Sequence, residues 1–237
     1  MSWVEILAQR VSARNRRKKW DLFLKTVRPT PATRVLDVGY TGQEHVETDN
    51  FLEKHYPYPS QVTALGIDDA AVFRERYPAC TVVQYDGKQF PFDAGAFDVC
   101  WCNAVLEHVG GWEEQRRFLQ EIHRVSRVAL ITTPNRFFPV EVHTRVPLLH
   151  LLPKRVFDGI LVRLGKGWAT GNYMHLLSES EIKRLLREAG IQPCRIVRDR
   201  FLLFTVDFVV ILTHRRSGAD GNAGDGKDHG GGDREQG

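Results

Sequence analysis

The sequence predicts an α/β protein whose sheet is built mainly from buried parallel strands, and three observations lead to that class. Residues 34–43, Arg34-Val35-Leu36-Asp37-Val38-Gly39-Tyr40-Thr41-Gly42-Gln43, form a short apolar run that stops at an acid and a glycine. That is the pattern of a buried strand whose following loop brings backbone close to a ligand. Further apolar runs each end in a polar residue: Val62–Ile67 in Asp68-Asp69, Thr81–Tyr85 in Asp86-Gly87, and Phe97–Cys102 in Asn103. Residues 112–125 place Phe118, Leu119, Ile122 and Val125 at helical spacing, with Glu113, Arg116, Arg117 and Arg124 expected on the outer face.

Taken in order, residues 3–27 read as a helix with Trp3, Ile6, Leu7, Val11, Trp20, Phe23, Leu24 and Val27 as its apolar positions. Pro29 and Pro31 then end it. After the first strand, residues 43–55 are expected to be helical, with Val46, Phe51 and Leu52 toward the sheet, until Pro57 and Pro59 stop the helix. A helix over 70–77 and the strand ending at Tyr85 make the next unit, and Val128–Thr132 is the fifth strand. Residues 134–176 break the repeating pattern with four prolines and three histidines. Long excursions of this kind at strand ends commonly carry function, and this one reads as a partly helical cap over the crevice. Ser178 with Glu181 three residues on is a capping box, Leu177 and Ile182 can staple it, and Gly190 ends that helix. Two strands near 193–198 and 201–212 are close enough to pair as antiparallel neighbours. From Ser217 onward eight of 21 residues are glycine, which predicts a disordered tail. The chain thus divides into a basic N-terminal helix (1–31), a main domain (32–216) and the tail (217–237).

The ordered series from Asp37-Val38-Gly39 through Asp68, Asp86-Gly87 and Asn103 to Leu106-Glu107-His108-Val109 resembles the class I S-adenosylmethionine-dependent methyltransferases, in particular the small "type 11" kind. The resemblance spans roughly residues 20–212. It implies a doubly wound, Rossmann-like methyltransferase sheet in the order 3-2-1-4-5-7-6, the seventh strand antiparallel, with the cap inserted after the fifth. It also implies S-adenosylmethionine as cofactor, with Asp37 and the backbone near Gly39 facing its amino-acid end. Asp68 stands where the family binds both ribose hydroxyls through an acid's two oxygens. Asp86 stands where an acid accepts from the adenine amino group, with the Gly87 backbone beside it. Asn103 completes the set. The family loop usually reads Asp/Glu-x-Gly-x-Gly-x-Gly, whereas Thr41 and Gln43 occupy the later glycine positions here. Gly42 serves only if the loop is one residue shorter. Each of these residues also has a plainer reading: Asp68-Asp69 as a helix N-cap pair, Asp86-Gly87 as a turn, Asn103 as a strand cap.

Methyl transfer needs alignment of acceptor and methyl, exclusion of water, and a base if the acceptor carries a proton. His143, with Glu141 nearby to orient or charge it, is the first candidate base and His108 the second; a structural role for either histidine is the alternative. Asn103-Ala104-Val105-Leu106 is not the Asn/Asp-Pro-Pro-Tyr of nucleobase amino methylation. A small-molecule or lipid-like acceptor is therefore expected. The apolar Leu148–Leu152 beside Lys154 and Arg155 reads either as a lid or as a contact with a lipid-like acceptor or membrane surface.

Composition narrows the class further. Apolar content of 42% and charged content of 26% suit a soluble globular protein. Residues 1–28 carry eight Lys or Arg against Glu5 and Asp21. This basic run is either a solvated face or an anionic contact, and without interleaved aromatics it is a poor stacking platform for nucleic acid. Cys80, Cys100, Cys102 and Cys194 lack zinc spacing, so no metal is expected, and free thiols suggest a reducing cytoplasm. A nicotinamide oxidoreductase would need a fuller Gly-x-Gly-x-x-Gly, which is missing. A catalytically silent cofactor-binding scaffold remains the main rival reading, because of Thr41 and Gln43.

Overall fold

The computed structural model describes residues 3–138, 154–163, 174–192, 194–201 and 203–214. Helix α1 (Trp3–Val27) opens the chain. Arg28 then turns into the left-handed region and donates its N–H to Leu24 O at 2.9 Å. Strand β1 (Val35–Val38) is buried at all four positions. Helix α2 (Phe51–His55), β2 (Val62–Gly66), α3 (Ala71–Arg76), β3 (Thr81–Gln84) and β4 (Phe97–Asn103) follow. Next come α4 (Trp112–Val125), β5 (Ser126–Pro134), α5 (Lys154–Arg163) and α6 (Glu179–Glu188). A hairpin of β6 (Cys194–Phe201) and β7 (Phe204–Thr213) closes the described residues.

The strands form one sheet in the order β3-β2-β1-β4-β5-β7-β6, with β7 antiparallel to both neighbours. This is the doubly wound order that the resemblance implies. The strand period of two divides the core into two layers. Leu36, Val38, Cys100, Cys102, Ala129 and Ile131 face α4 and α6, meeting Phe118, Ile122, Ile182 and Leu185. Val35, Val99, Trp101, Leu130 and Val209 face the other way, against Trp20 and Phe23 of α1 and Phe51 and Leu52 of α2. The Phe23 ring stands edge-on to Trp101, 5.3 Å between centroids. Ser178 and Glu181 form the expected reciprocal capping box on α6, and Leu177 and Ile182 are both buried.

Three local expectations need correction. The helix expected over 43–55 is reduced to Phe51–His55, and Val46 is exposed rather than turned to the sheet. Asp49 accepts from the N–H groups of His45 and Val46, and Asn50 sits in the left-handed region, so a side-chain-bonded turn displaces the first helical turns. Arg124 does not point outward: it donates to Phe90 O at 3.0 Å and Phe92 O at 2.7 Å, tying the loop before β4 to α4. The basic run in α1 is only partly a solvated face. Register pairs Asp199 of β6 with Asp207 of β7, two like charges directly opposite, and Lys18 and Lys19 answer them at 3.0 and 2.5 Å. Of residues 134–176, expected to form a cap, only the ends and α5 are described, and the tail expected over 217–237 lies outside the described residues.

Candidate functional site

Asp37 follows directly from that alternation. It belongs to the layer of Val35 rather than that of Leu36, so its side chain enters the α1/α2 side of the sheet at the carboxyl end of β1. It is 7% exposed and lines a cavity of about 210 Å³, together with Gly39, Thr41, Asn103, Val105 and Arg16 of α1. Burial pushes its carboxyl up to about 6, against the opposing effects of the neighbouring Glu53 carboxyl and the charge of Arg16. Glu53 of α2 is held well above the usual carboxylate range, mainly by burial and then by Asp37. Burial likewise draws the Arg16 guanidinium down, although the charges of Asp37, Asp207 and Asp49 act the other way. A carboxyl group and a guanidinium lining one cavity can take up an ammonium and a carboxylate, the two charged groups of an amino-acid moiety.

The loop after β1 is held by its side chains. Gly39 has φ +97°, and a Cβ there would stand 2.3 Å from Val105 Cγ2. Its requirement for glycine thus comes from packing within the chain as well as from backbone conformation. The Tyr40 ring fills the space over Gly66, and its hydroxyl donates to Asp68 O at 2.6 Å. Thr41 N–H donates to Asn50 Oδ1 at 2.8 Å, and Asn50 Nδ2 returns a bond to Thr41 O at 3.0 Å. Glu44 anchors the same turn through Lys54 at 2.8 Å, Arg76 at 3.0 Å and the Tyr77 hydroxyl. Where the familiar loop uses glycines, this one uses hydrogen bonds from Asn50 and Glu44.

The other candidates take these places. Gly42 N–H donates to Asp68 Oδ2 at 3.0 Å, so the glycine approaches the acid of the neighbouring strand. Asp86 accepts from Lys88 N–H at 3.0 Å and Gly87 has φ +80°, the turn geometry foreseen as their plainer reading. Gly87 also lines a second hollow of about 330 Å³ with Val109 and Phe118. Asn103, at the end of β4, lines the Asp37 cavity and accepts from Thr132 Oγ1 at 2.9 Å. His108 stands on a 3-10 turn, Leu106–His108, just beyond β4. Its neighbour Glu107 is fully buried and accepts from Thr133 Oγ1 at 3.1 Å. His143 and Glu141 lie outside the described residues. Sequence reasoning missed Arg16, Glu53 and Asn50. Arg16 was concealed in a basic run, and nothing in Phe51-Leu52-Glu53 marks the acid as buried.

With this geometry in place, the similarities to known proteins are informative. Residues 36–128 match the family described as a methyltransferase domain. Two Mycobacterium tuberculosis proteins, from strains CDC 1551 and H37Rv, are each named a probable S-adenosylmethionine-dependent methyltransferase. Each is 37% identical to this chain over 81 residues. That stretch is 32% of this chain and 28% of each relative, so the chain matches under a third of their length. Magnesium protoporphyrin IX methyltransferase from Synechocystis PCC 6803, crystallised with S-adenosylhomocysteine, superposes with a TM-score of 0.56 at 15% identity, over 90% of this chain and 89% of that one. A Burkholderia thailandensis 1,6-didemethyltoxoflavin-N1-methyltransferase gives 0.53 at 17% identity, over 84% and 79%. Residues 36–128 thus carry a match to a methyltransferase domain, and the sheet has the fold of these solved methyltransferases.

Proposed function

We propose that this protein binds S-adenosylmethionine and directs its methyl group, by in-line displacement, onto a small-molecule or lipid-like acceptor. The observation that carries the reading is the buried Asp37 carboxyl, which opens on the cavity beside Arg16 at the carboxyl end of β1. Asp37 accepts from the ammonium of the amino-acid end, and Arg16 donates to its carboxylate. Asp68, one oxygen of which already accepts from Gly42 N–H, takes the ribose hydroxyls. Asp86 and the Gly87 backbone lie toward the adenine, and Asn103 closes the floor. The sulfonium supplies an activated methyl and a good leaving group, so the chain mainly aligns the acceptor and excludes water. His143, oriented by Glu141, removes a proton if the acceptor carries one; His108 is the second candidate. The residues over 134–176 shape the acceptor side, a role that fits their departure from the carboxyl end of β5.

The test is turnover of S-adenosylmethionine against metabolite and lipid extracts, with the methylated product identified, alongside calorimetry with S-adenosylhomocysteine. Product formation with an extract component is the expected result. Tight binding without product from any extract would instead favour a silent scaffold, and no binding would remove the cofactor from the reading.

A further inference from the structure

The hairpin of β6 and β7 ends on residues that tight turns rarely carry. Its strands are joined through Leu202-Leu203, between Phe201 and Phe204, where two-residue connections ordinarily take Asn, Asp or Gly. Leu203 is 94% exposed and Phe204 51%. Register places Asp207 opposite Pro134, the last residue of β5, so Phe204 lies three residues, or about 10 Å, beyond the carboxyl end of that strand. Asn135 ties the chain leaving β5 to the base of the tip: its N–H donates to Val206 O at 2.8 Å and its Nδ2 to Thr205 O at 2.9 Å. Phe137 N–H donates in turn to Asn135 Oδ1 at 3.1 Å, and Phe137 is 62% exposed. Single exposed apolar residues are ordinary, but three large ones gathered at one end of the sheet mark a contact surface.

Cations beside this tip outnumber the acids. Lys18 Nζ of α1 donates to Asp199 Oδ1 at 3.0 Å and to Arg200 O at 3.2 Å, which sets α1 against the hairpin next to its tip. The nearby carboxylates are already answered: Asp199 by Lys18, Asp207 by Lys19, and Glu179 by Arg198 and Lys183. Arg14, Arg17 and Arg200 are exposed and belong to none of these pairs. Arg14 and Arg17 lie within one turn of Lys18, on the part of α1 that reaches the cavity edge through Arg16, whereas Asp21 lies a turn the other way. We propose that the hairpin tip is a peripheral membrane foot. Leu203, Phe204 and Phe137 enter the interface of a bilayer, and Arg14, Arg17 and Arg200 meet its anionic phosphate head groups. A stable protein partner would need about 800 Å² from each side, more than one tip and one neighbouring ring present. A second copy is further opposed by Arg195, Arg198 and Arg200, all exposed on the edge strand β6. The inference goes beyond the cofactor reading and does not depend on it; where both hold, the edge of the sheet that meets the acceptor faces the lipid.

Flotation of the full chain with lipid vesicles tests this and needs neither cofactor nor acceptor, so its outcome is separate from that of the methyl-transfer reading. At low salt the wild type should bind vesicles of equal parts phosphatidylcholine and phosphatidylglycerol, bind vesicles of phosphatidylcholine alone far less, and be released by high salt. Leu203→Ser changes no charge and sits at a position too exposed to alter the melting temperature. It should weaken binding to the mixed vesicles by about tenfold. Arg14→Glu combined with Arg200→Glu should weaken it by about tenfold or more and flatten the salt dependence. No binding to the mixed vesicles, equal binding to both kinds, or binding that Leu203→Ser leaves intact overturns the inference. Self-association in sedimentation that Leu203→Ser abolishes, without vesicle binding, assigns the tip to a second copy and overturns it too.

Discussion

At the scale of single residues, Asp37 shows how one position in a strand sets the chemistry of a cavity. Its burial raises the carboxyl from 3.8 to about 6, which makes stability depend on pH in a defined direction. Between those values the folded protein retains a proton that the unfolded chain has released. Stability contributed by this group is therefore present in acid and is lost as pH rises through about 6, by about 3 kcal/mol in total. Glu53, raised further, extends the loss upward. Glu179, lowered to about 2 by Arg198 and Lys183, acts oppositely and at lower pH. Melting curves from pH 4 to 8 should show Asp37→Asn gaining on the wild type as pH rises. A constant difference would mean that Asp37 titrates normally. Asp68 tests the ligand side of the same site. Asp68→Ala is expected to reduce cofactor affinity by about 1.5–3 kcal/mol, read by calorimetry on the folded variant. Unchanged affinity would take Asp68 out of the site.

At the scale of elements, α1 is fixed to the sheet by two unlike devices. Trp20 and Phe23 are buried against Trp101 and Phe51, and Lys19 reaches Asp207 of β7 in an ion pair of which both members are almost wholly buried. Asp207 lies opposite Asp199, so the removal of Lys19 leaves two acids facing each other across the hairpin. Lys19→Ala should cost about 3–5 kcal/mol, measured by denaturant unfolding, because a lone buried charge is dearer than the pair is favourable. Lys19→Ala combined with Asp207→Leu should recover part of that loss. The same anchoring brings Arg16, one turn before Trp20, to the cavity. A helix that reads as a basic appendage is part of the site's wall.

At the scale of the whole molecule, the candidate cofactor residues Asp37, Asp68, Asp86 and Asn103 all follow from the first four strands, before the chain reaches Pro134. The proposed function assigns the acceptor to the residues that follow β5. His143→Ala should leave S-adenosylhomocysteine affinity nearly intact, and turnover should fall by about 10²–10⁴-fold if His143 is the base. Loss of binding in a folded variant would show that the chain does not divide in this way. Intact turnover with an identified acceptor would return His143 to a structural role.

The sequence alone determined the strand series, α4, the capping box of α6 and, through family resemblance, the strand order. These rest on local signals: periods of 2 and 3.6, capping residues, and acids at strand ends. It also placed Asp37, because a polar residue inside an apolar run is conspicuous. Only the tertiary structure decided that Asp49 and Asn50 replace half of an expected helix with a turn, that Gly42 packs on Asp68, and that Lys18 and Lys19 answer Asp199 and Asp207. It alone brought Arg16 and Glu53 to Asp37. None of the three is near the others in sequence; they meet because β1, α1 and α2 share one face of the sheet, and which side chains converge there depends on helix docking and rotation that no local pattern encodes.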